Sequence, residues 1–136
     1  MKKLQSELWV RSMPNLINLE TFSDSRGDLT VIEKVIPFNI KRIYYIYNSA
    51  GSIRGGHRHK ITSQAAICLR GSCAIYTKDK DHGETEKIML DNSAECLVIR
   101  PEDYHWMEDF SEDCILLVLA SENYDAEDYI YEKYKD

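Results

Sequence analysis

The sequence lacks several features, and each absence excludes a class of protein. No apolar run approaches the roughly 20 residues that a membrane-spanning helix needs, and the longest, Cys114–Ala120, has the length of a buried strand. No Gly-x-Gly-x-x-Gly follows a strand pattern, which argues against a dinucleotide cofactor. Met1–Glu7 carries no apolar run of the kind a secretory signal uses, so a cytoplasmic protein is expected. There is no repeat, no low-complexity tract and no linker, so residues 1–136 are read as a single domain. No Cys-x-x-Cys pair occurs. Cys68, Cys73, Cys96 and Cys114 each lie in or beside an apolar, strand-like stretch, and in a reducing compartment they read as small buried residues rather than disulfides or metal ligands.

The composition that remains, 43% hydrophobic and 29% charged, is that of a globular chain. The formal net charge is -6 and unevenly spread. Residues 41–70 hold Lys41, Arg42, Arg54, Arg58, Lys60 and Arg70 but no acid, whereas residues 102–136 hold twelve acids and two lysines. That contrast excludes a general nucleic-acid surface and leaves room for a local basic pocket that takes a small anion. Solvent-facing strand positions are the competing explanation for the same cations.

Strand signals dominate, because β-branched and aromatic residues recur between Gly, Asn, Asp and Ser. Strands are expected at Trp9-Val10, 29–35, 42–47, 63–69, 73–78, 86–90, 95–99, Trp106-Met107 and 114–120, with turns at 24–27, 48–51, 70–72, 79–83, 91–93 and 101–103. Many short strands with polar turns indicate an all-β barrel or jelly roll, whose interior can hold one ligand. Only a short C-terminal segment, 126–135, has helical character, and its tyrosines could instead pack onto the barrel or a second subunit.

The most informative stretch is Arg54-Gly55-Gly56-His57-Arg58-His59-Lys60. Strand side chains alternate, so His57 and His59 share a face and Arg58 takes the other. Two imidazoles on one interior face can serve as acid and base or as metal ligands. The glycines before them permit close approach of a backbone or a ligand. His82, within Asp81-His82-Gly83, reads as a turn residue.

The spacing Gly51-x5-His57-x-His59-x4-Gln64-x6-Gly71 resembles the first cupin motif, with Gln64 in place of its glutamate, and Pro101-x3-His105 resembles part of the second. The resemblance implies a cupin-type jelly-roll β-barrel. A metal-binding cupin would supply three histidines and a carboxylate. An amide at the fourth place is a poorer ligand for a hard cation, so no metal is expected. A longer resemblance runs from about Leu16 to Tyr131, through Asp24-Ser-Arg26-Gly27, Pro37-Phe38, Arg42-Ile-Tyr-Tyr45, His57-Arg-His59-Lys60, His105-Trp-Met107 and Asp125-x2-Asp128-Tyr129. It is similar to the sugar 3,4-ketoisomerases that act on dTDP-4-keto-6-deoxyglucose.

That resemblance implies the chemistry. Moving a ketone from C4 to C3 requires loss of the C3 proton, an enediol-type intermediate and reprotonation at C4, with no redox cofactor. Histidine titrates in the right range for both proton transfers. The resemblance makes His57 the base at C3 and His59 the donor at C4. Tyr45 would orient a histidine or the substrate, or stabilise the enolate oxygen, with a core or interface tyrosine as the alternative. On a regular strand Arg42 and Tyr44 share a face. Arg54 and Lys60 lead the candidates for the diphosphate, with Arg42 also counted as substrate-binding. Gln64 would hydrogen-bond the sugar or an imidazole, and His105 would face the pocket and bear on which face of C4 is reprotonated. A dTDP-linked keto sugar is the expected partner, and a homodimer the expected assembly. A metal-dependent cupin enzyme, a 3,5-epimerase and a non-catalytic nucleotide-sugar-binding module are the rival readings.

Overall fold

The computed structural model describes residues 15–81 and 83–135. The expected strand at Trp9-Val10 and the turn residue His82 lie outside them. Among the described residues twelve strands follow in order: β1 (Leu16–Asn18), β2 (Glu20–Asp24), β3 (Gly27–Val31), β4 (Arg42–Tyr47), β5 (Arg54–His59), β6 (Gln64–Arg70), β7 (Cys73–Lys78), β8 (Glu86–Leu90), β9 (Glu95–Ile99), β10 (Tyr104–Glu108), β11 (Ile115–Ala120) and β12 (Tyr129–Ile130). They form two five-stranded antiparallel sheets, β1-β9-β6-β11-β4 and β12-β5-β10-β7-β8, with β2 and β3 as a separate hairpin. This is the all-β cupin-type jelly roll that the sequence implied. Among the described residues no helix is long and apolar enough to cross a membrane.

The strands with dense apolar patterning form where the sequence places them. In β6, Ala65 to Cys68 are all buried, because both faces of that sheet are covered. One face (Ala66, Cys68) joins Ile75, Leu90, Leu116 and Val118 between the sheets. The other (Ala65, Ile67) packs with Leu19, Cys96 and Leu119, with Ile36 and Phe38 laid against them. Full burial of a side chain such as Leu116 contributes about 2–3 kcal/mol.

Two expectations change. The strand expected over 29–35 stops at Val31, because Lys34 adopts a left-handed backbone (φ 59°) that ends extension and turns the chain. The C-terminal segment is not a helix over 126–135. A single 3-10 turn, Ala126–Asp128, is capped by the Asp125 side chain, which accepts from the Glu127 amide. The chain then extends into β12, where Tyr129 pairs with His59 and Ile130 with Arg58.

Candidate active site

The site lies on the inward face of β5 and β10. Alternation along β5 turns both His57 and His59 inward. The antiparallel register sets His105 of β10 directly opposite His57. That register needs Gly55. Its φ is +84°, and a Cβ there would stand 3.1 Å from the Trp106 Cα and 3.2 Å from the His105 carbonyl oxygen. The pairing slips between His105 and Trp106, a bulge that re-aims His105. The rings of His57 and His59 meet edge to face at 4.9 Å between centroids, and those of His57 and His105 also at 4.9 Å.

Each ring has one nitrogen fixed by an acceptor. His59 Nδ1 donates to Asp128 Oδ2 at 2.9 Å. His105 Nδ1 donates to the Asp103 carbonyl at 3.1 Å. His57 hydrogen-bonds the backbone of Gly55. Asp128 also accepts from the amides of Lys60 (3.0 Å) and Ile61 (2.7 Å) and from the Thr62 hydroxyl. Burial alone would raise the Asp128 carboxyl, but the bonds from Thr62, Ile61 and His59 outweigh it and hold it below the usual carboxylate range. The carboxylate is therefore ionised and the Nδ1–H tautomer of His59 is set. His59 Nε2 is then left buried without a partner, which marks it as the atom free to exchange a proton.

Burial disfavours the charged imidazole. It lowers His57 to about 4, assisted by the neighbouring His59, and His105 to about 3, assisted by His57. His59 is also lowered by burial, against the pull of Asp128. All three rings are neutral near pH 7 and can accept a proton.

A cavity of about 230 Å³ opens on His57 and His105, lined also by Arg42, Tyr44, Ile46, Arg54, Gly55, Met107 and Tyr129, and His59 lies behind it against the His57 and Tyr129 rings. Tyr129 lays its ring 4.6 Å from both His57 and His59. Arg42 and Arg54 supply positive charge at the cavity. The Arg42 guanidinium stands 4.7 Å from the Tyr44 ring centroid and 5.4 Å from that of Tyr124. Gln64 is buried and donates its Nε2 to the Tyr44 hydroxyl at 2.8 Å. Tyr44 is pushed up to about 12, chiefly by burial, so it remains a neutral phenol whose own proton is available to donate.

Two candidates fall outside this assembly. Tyr45 is 63% exposed on the outer face of β4, and its neighbour Tyr44 occupies the cavity instead. β4 buries the Arg42-Tyr44-Ile46 side, so alternation sends Tyr45 outward. Lys60 is exposed just past the end of β5; its amide serves Asp128 and its side chain does not line the cavity. Asp128, Tyr129 and Tyr44 are the functional groups that residue-by-residue reading did not single out. The Arg42/Tyr44 alternation was the signal for Tyr44. Asp128 is 69 residues from His59, and no local pattern links them.

The His57, His59 and His105 ligand atoms lie within 4.8 Å of one another, close enough to hold a cation. The residues do not complete a cupin metal set, because the fourth place holds the neutral amide of Gln64, a poorer ligand for a hard cation than a carboxylate, and Asp128 is committed to four donors.

Comparison with known proteins agrees with this geometry. The profile of the FdtA family, described as WxcM-like, C-terminal, matches residues 12–136. A TDP-4-oxo-6-deoxy-alpha-D-glucose-3,4-oxoisomerase of Aneurinibacillus thermoaerophilus is 45% identical over 125 residues, 88% of each chain. A mutant of the 3,4-ketoisomerase QdtA from Thermoanaerobacterium thermosaccharolyticum, in complex with TDP-4-keto-6-deoxyglucose, is 45% identical with a TM-score of 0.78 over 86% of both chains. A 3,4-ketoisomerase from Helicobacter canadensis is 39% identical with a TM-score of 0.80, over 86% of this chain and 89% of the other. Such likeness, carried through nearly the full length of sequence and fold alike, means that the chain belongs to the FdtA family, alongside the sugar 3,4-ketoisomerases.

Proposed function

We propose that the chain is an isomerase that converts dTDP-4-keto-6-deoxyglucose to a dTDP-3-keto-6-deoxyhexose, in deoxyamino-sugar biosynthesis. The observation that carries the reading is the pair of neutral imidazoles, His57 lining a cavity that also holds two arginines and a protonated phenol, and His59 packed edge to face against it at 4.9 Å. The family relatives named above support the substrate.

His57 takes the C3 proton. The C–H electron pair becomes the C3–C4 double bond, and the carbonyl pair moves to O4, where the Tyr44 hydroxyl donates a hydrogen bond to the oxyanion. Passage of the O3 proton to O4 gives the isomeric enediolate. The proton that His57 removed is released to solvent and Nε2 of His59 takes one up in exchange, giving a charged ring that Asp128 stabilises. As the C3 carbonyl forms, the electron pair returns to C4, which takes that proton from Nε2 of His59, and both rings are neutral again. The sequence balances without a redox partner, and no step needs a metal. Arg42 and Arg54 bind the diphosphate, Gln64 holds Tyr44, and His105 and Tyr129 wall the reacting carbons.

The reading includes a cytoplasmic setting, which the four unpaired cysteines favour, and a homodimer. Phe22 and Leu29 face each other on the β2–β3 hairpin, and Ile43, Tyr45 and Tyr47 line the outside of β4, all exposed in the single chain. Gel filtration with light scattering is expected to give twice the chain mass; a single-chain mass at micromolar concentration would contradict the dimer.

Incubating the protein with dTDP-4-keto-6-deoxyglucose in deuterated water tests the reaction. The expected NMR result is a 3-keto product with deuterium at C4, and His57→Asn is expected to abolish turnover while dTDP still binds. Nucleotide binding without any exchange would point to the non-catalytic module, and deuterium entering at C5 to the epimerase.

The pH profile gives a second check. His57 works as a base only when neutral, and burial lowers its pKa to about 4. The value of kcat/KM is therefore expected to stay flat as pH falls through 6.5 and to drop only as it nears 4. An acid limb centred at the ordinary histidine pKa of about 6.5 would contradict the assignment.

A further inference from the structure

Three of the four cysteines converge at the end of the core remote from the histidines. Cys68 comes from β6, Cys73 from the start of β7, and Cys114 immediately precedes β11. Cys68 lies four residues along β6 from Gln64, roughly 13 Å at about 3.3 Å per residue. The three side chains are buried, at 1%, 0% and 3% exposure, and their sulfur atoms all lie within 4.8 Å of one another. Cys68 Sγ and Cys114 Sγ are 3.7 Å apart. Filling the core asks only for volume, which Ala66 and Ile75 already supply on the same strands. It does not ask three sulfurs from separate chain positions to face one point.

We propose that Cys68, Cys73 and Cys114 form a three-thiolate site for a soft monovalent d10 cation, Cu(I), separate from the histidine cavity and independent of the isomerase reading. A cation held trigonally with metal–sulfur bonds of about 2.3 Å sets its sulfurs about 4.0 Å apart, so the observed trio needs to move only by tenths of an ångström. All-thiolate coordination selects soft ions of this kind. Among the described residues no histidine or carboxylate joins the cluster as a fourth ligand, which favours a three-coordinate ion over tetrahedral Zn²⁺. Binding forms three metal–sulfur bonds and releases the thiol protons to solvent, with no electron transfer.

The thiols are already hydrogen-bonded among themselves. The bond that Cys68 takes from Cys73 helps to hold the Cys68 thiol down to about 7, while burial pushes Cys114 up to about 12. Cys114 is among the residues that line a second cavity, of about 390 Å³, with Tyr45, Tyr47, Asn48, Glu112, Asp113 and Ile115. Glu112 and Asp113 are exposed there and place negative charge at the opening.

The test uses the reduced full-length protein under anaerobic conditions, titrated with Cu(I) supplied as its acetonitrile complex. The expected result is a thiolate-to-metal ultraviolet band that saturates at one equivalent, and X-ray absorption with sulfur neighbours only. Cys73→Ala is expected to lose the band, while Cys96→Ala and His57→Asn keep it. Cys114→Ala provides a second deletion should Cys73→Ala lose its far-UV circular dichroism. The proposal is overturned by the absence of a saturating band in the wild type. It is equally overturned by a band that survives loss of Cys73 or Cys114 in a folded variant. Nitrogen neighbours that disappear in His57→Asn would place the ion in the histidine cavity instead, and would also overturn it.

Discussion

The carboxylate of Asp128 takes four hydrogen bonds at once, from the His59 ring, the Lys60 and Ile61 amides and the Thr62 hydroxyl. It thereby ties the C-terminal 3-10 turn to the end of β5. Leaving such a buried carboxylate unpartnered would cost several kcal/mol, so the donors and the acid hold one another in place. The consequence at the site is specific. With Nδ1 of His59 committed to the acid, only Nε2 is free to exchange a proton, and the extension of the chain into β12 brings Tyr129 against the rings of both His57 and His59.

The remaining electrostatics follow from burial. Packing three imidazoles together in a poorly solvated space disfavours protonation of each, and the mutual repulsion of the charged forms adds to the effect. A resting site of neutral bases results. His59 alone has an anionic partner, so a proton gained during reaction is best tolerated there. This difference between two adjacent and chemically identical side chains is what the proposed division into base and donor rests on.

The two-sheet fold was legible in the sequence wherever strands bury apolar side chains. β4, β7, β8 and β9 fall at the expected residues because hydrophobic and β-branched patterning specifies them. β1 and β2 are short and partly polar and gave no such signal. β5, rich in glycine and charge, was readable only through the same-face placement of His57 and His59. Tyr45 shows why the face of a strand is harder to read than its existence. In Arg42–Tyr47 the outward set, Ile43, Tyr45 and Tyr47, is more apolar than the inward set, because the inward set lines a polar cavity. Apolar character alone does not tell which side of that strand faces in, whereas alternation puts Tyr45 on the side opposite Arg42 and Tyr44. Asp128 was hidden for a different reason, since its link to His59 exists only after the chain has folded back across the sheet.

The tautomer of His59 is where the account is most exposed. Long-range nitrogen–proton correlation spectra of the histidine rings, recorded on the wild-type protein near pH 7, report directly which ring nitrogen carries the proton. The account requires a neutral His59 ring with hydrogen on Nδ1 and a bare Nε2, and a switch of that ring to a mixture of tautomers in Asp128→Asn. A His59 ring that is protonated on Nε2 in the wild type, or doubly protonated at neutral pH, would contradict it.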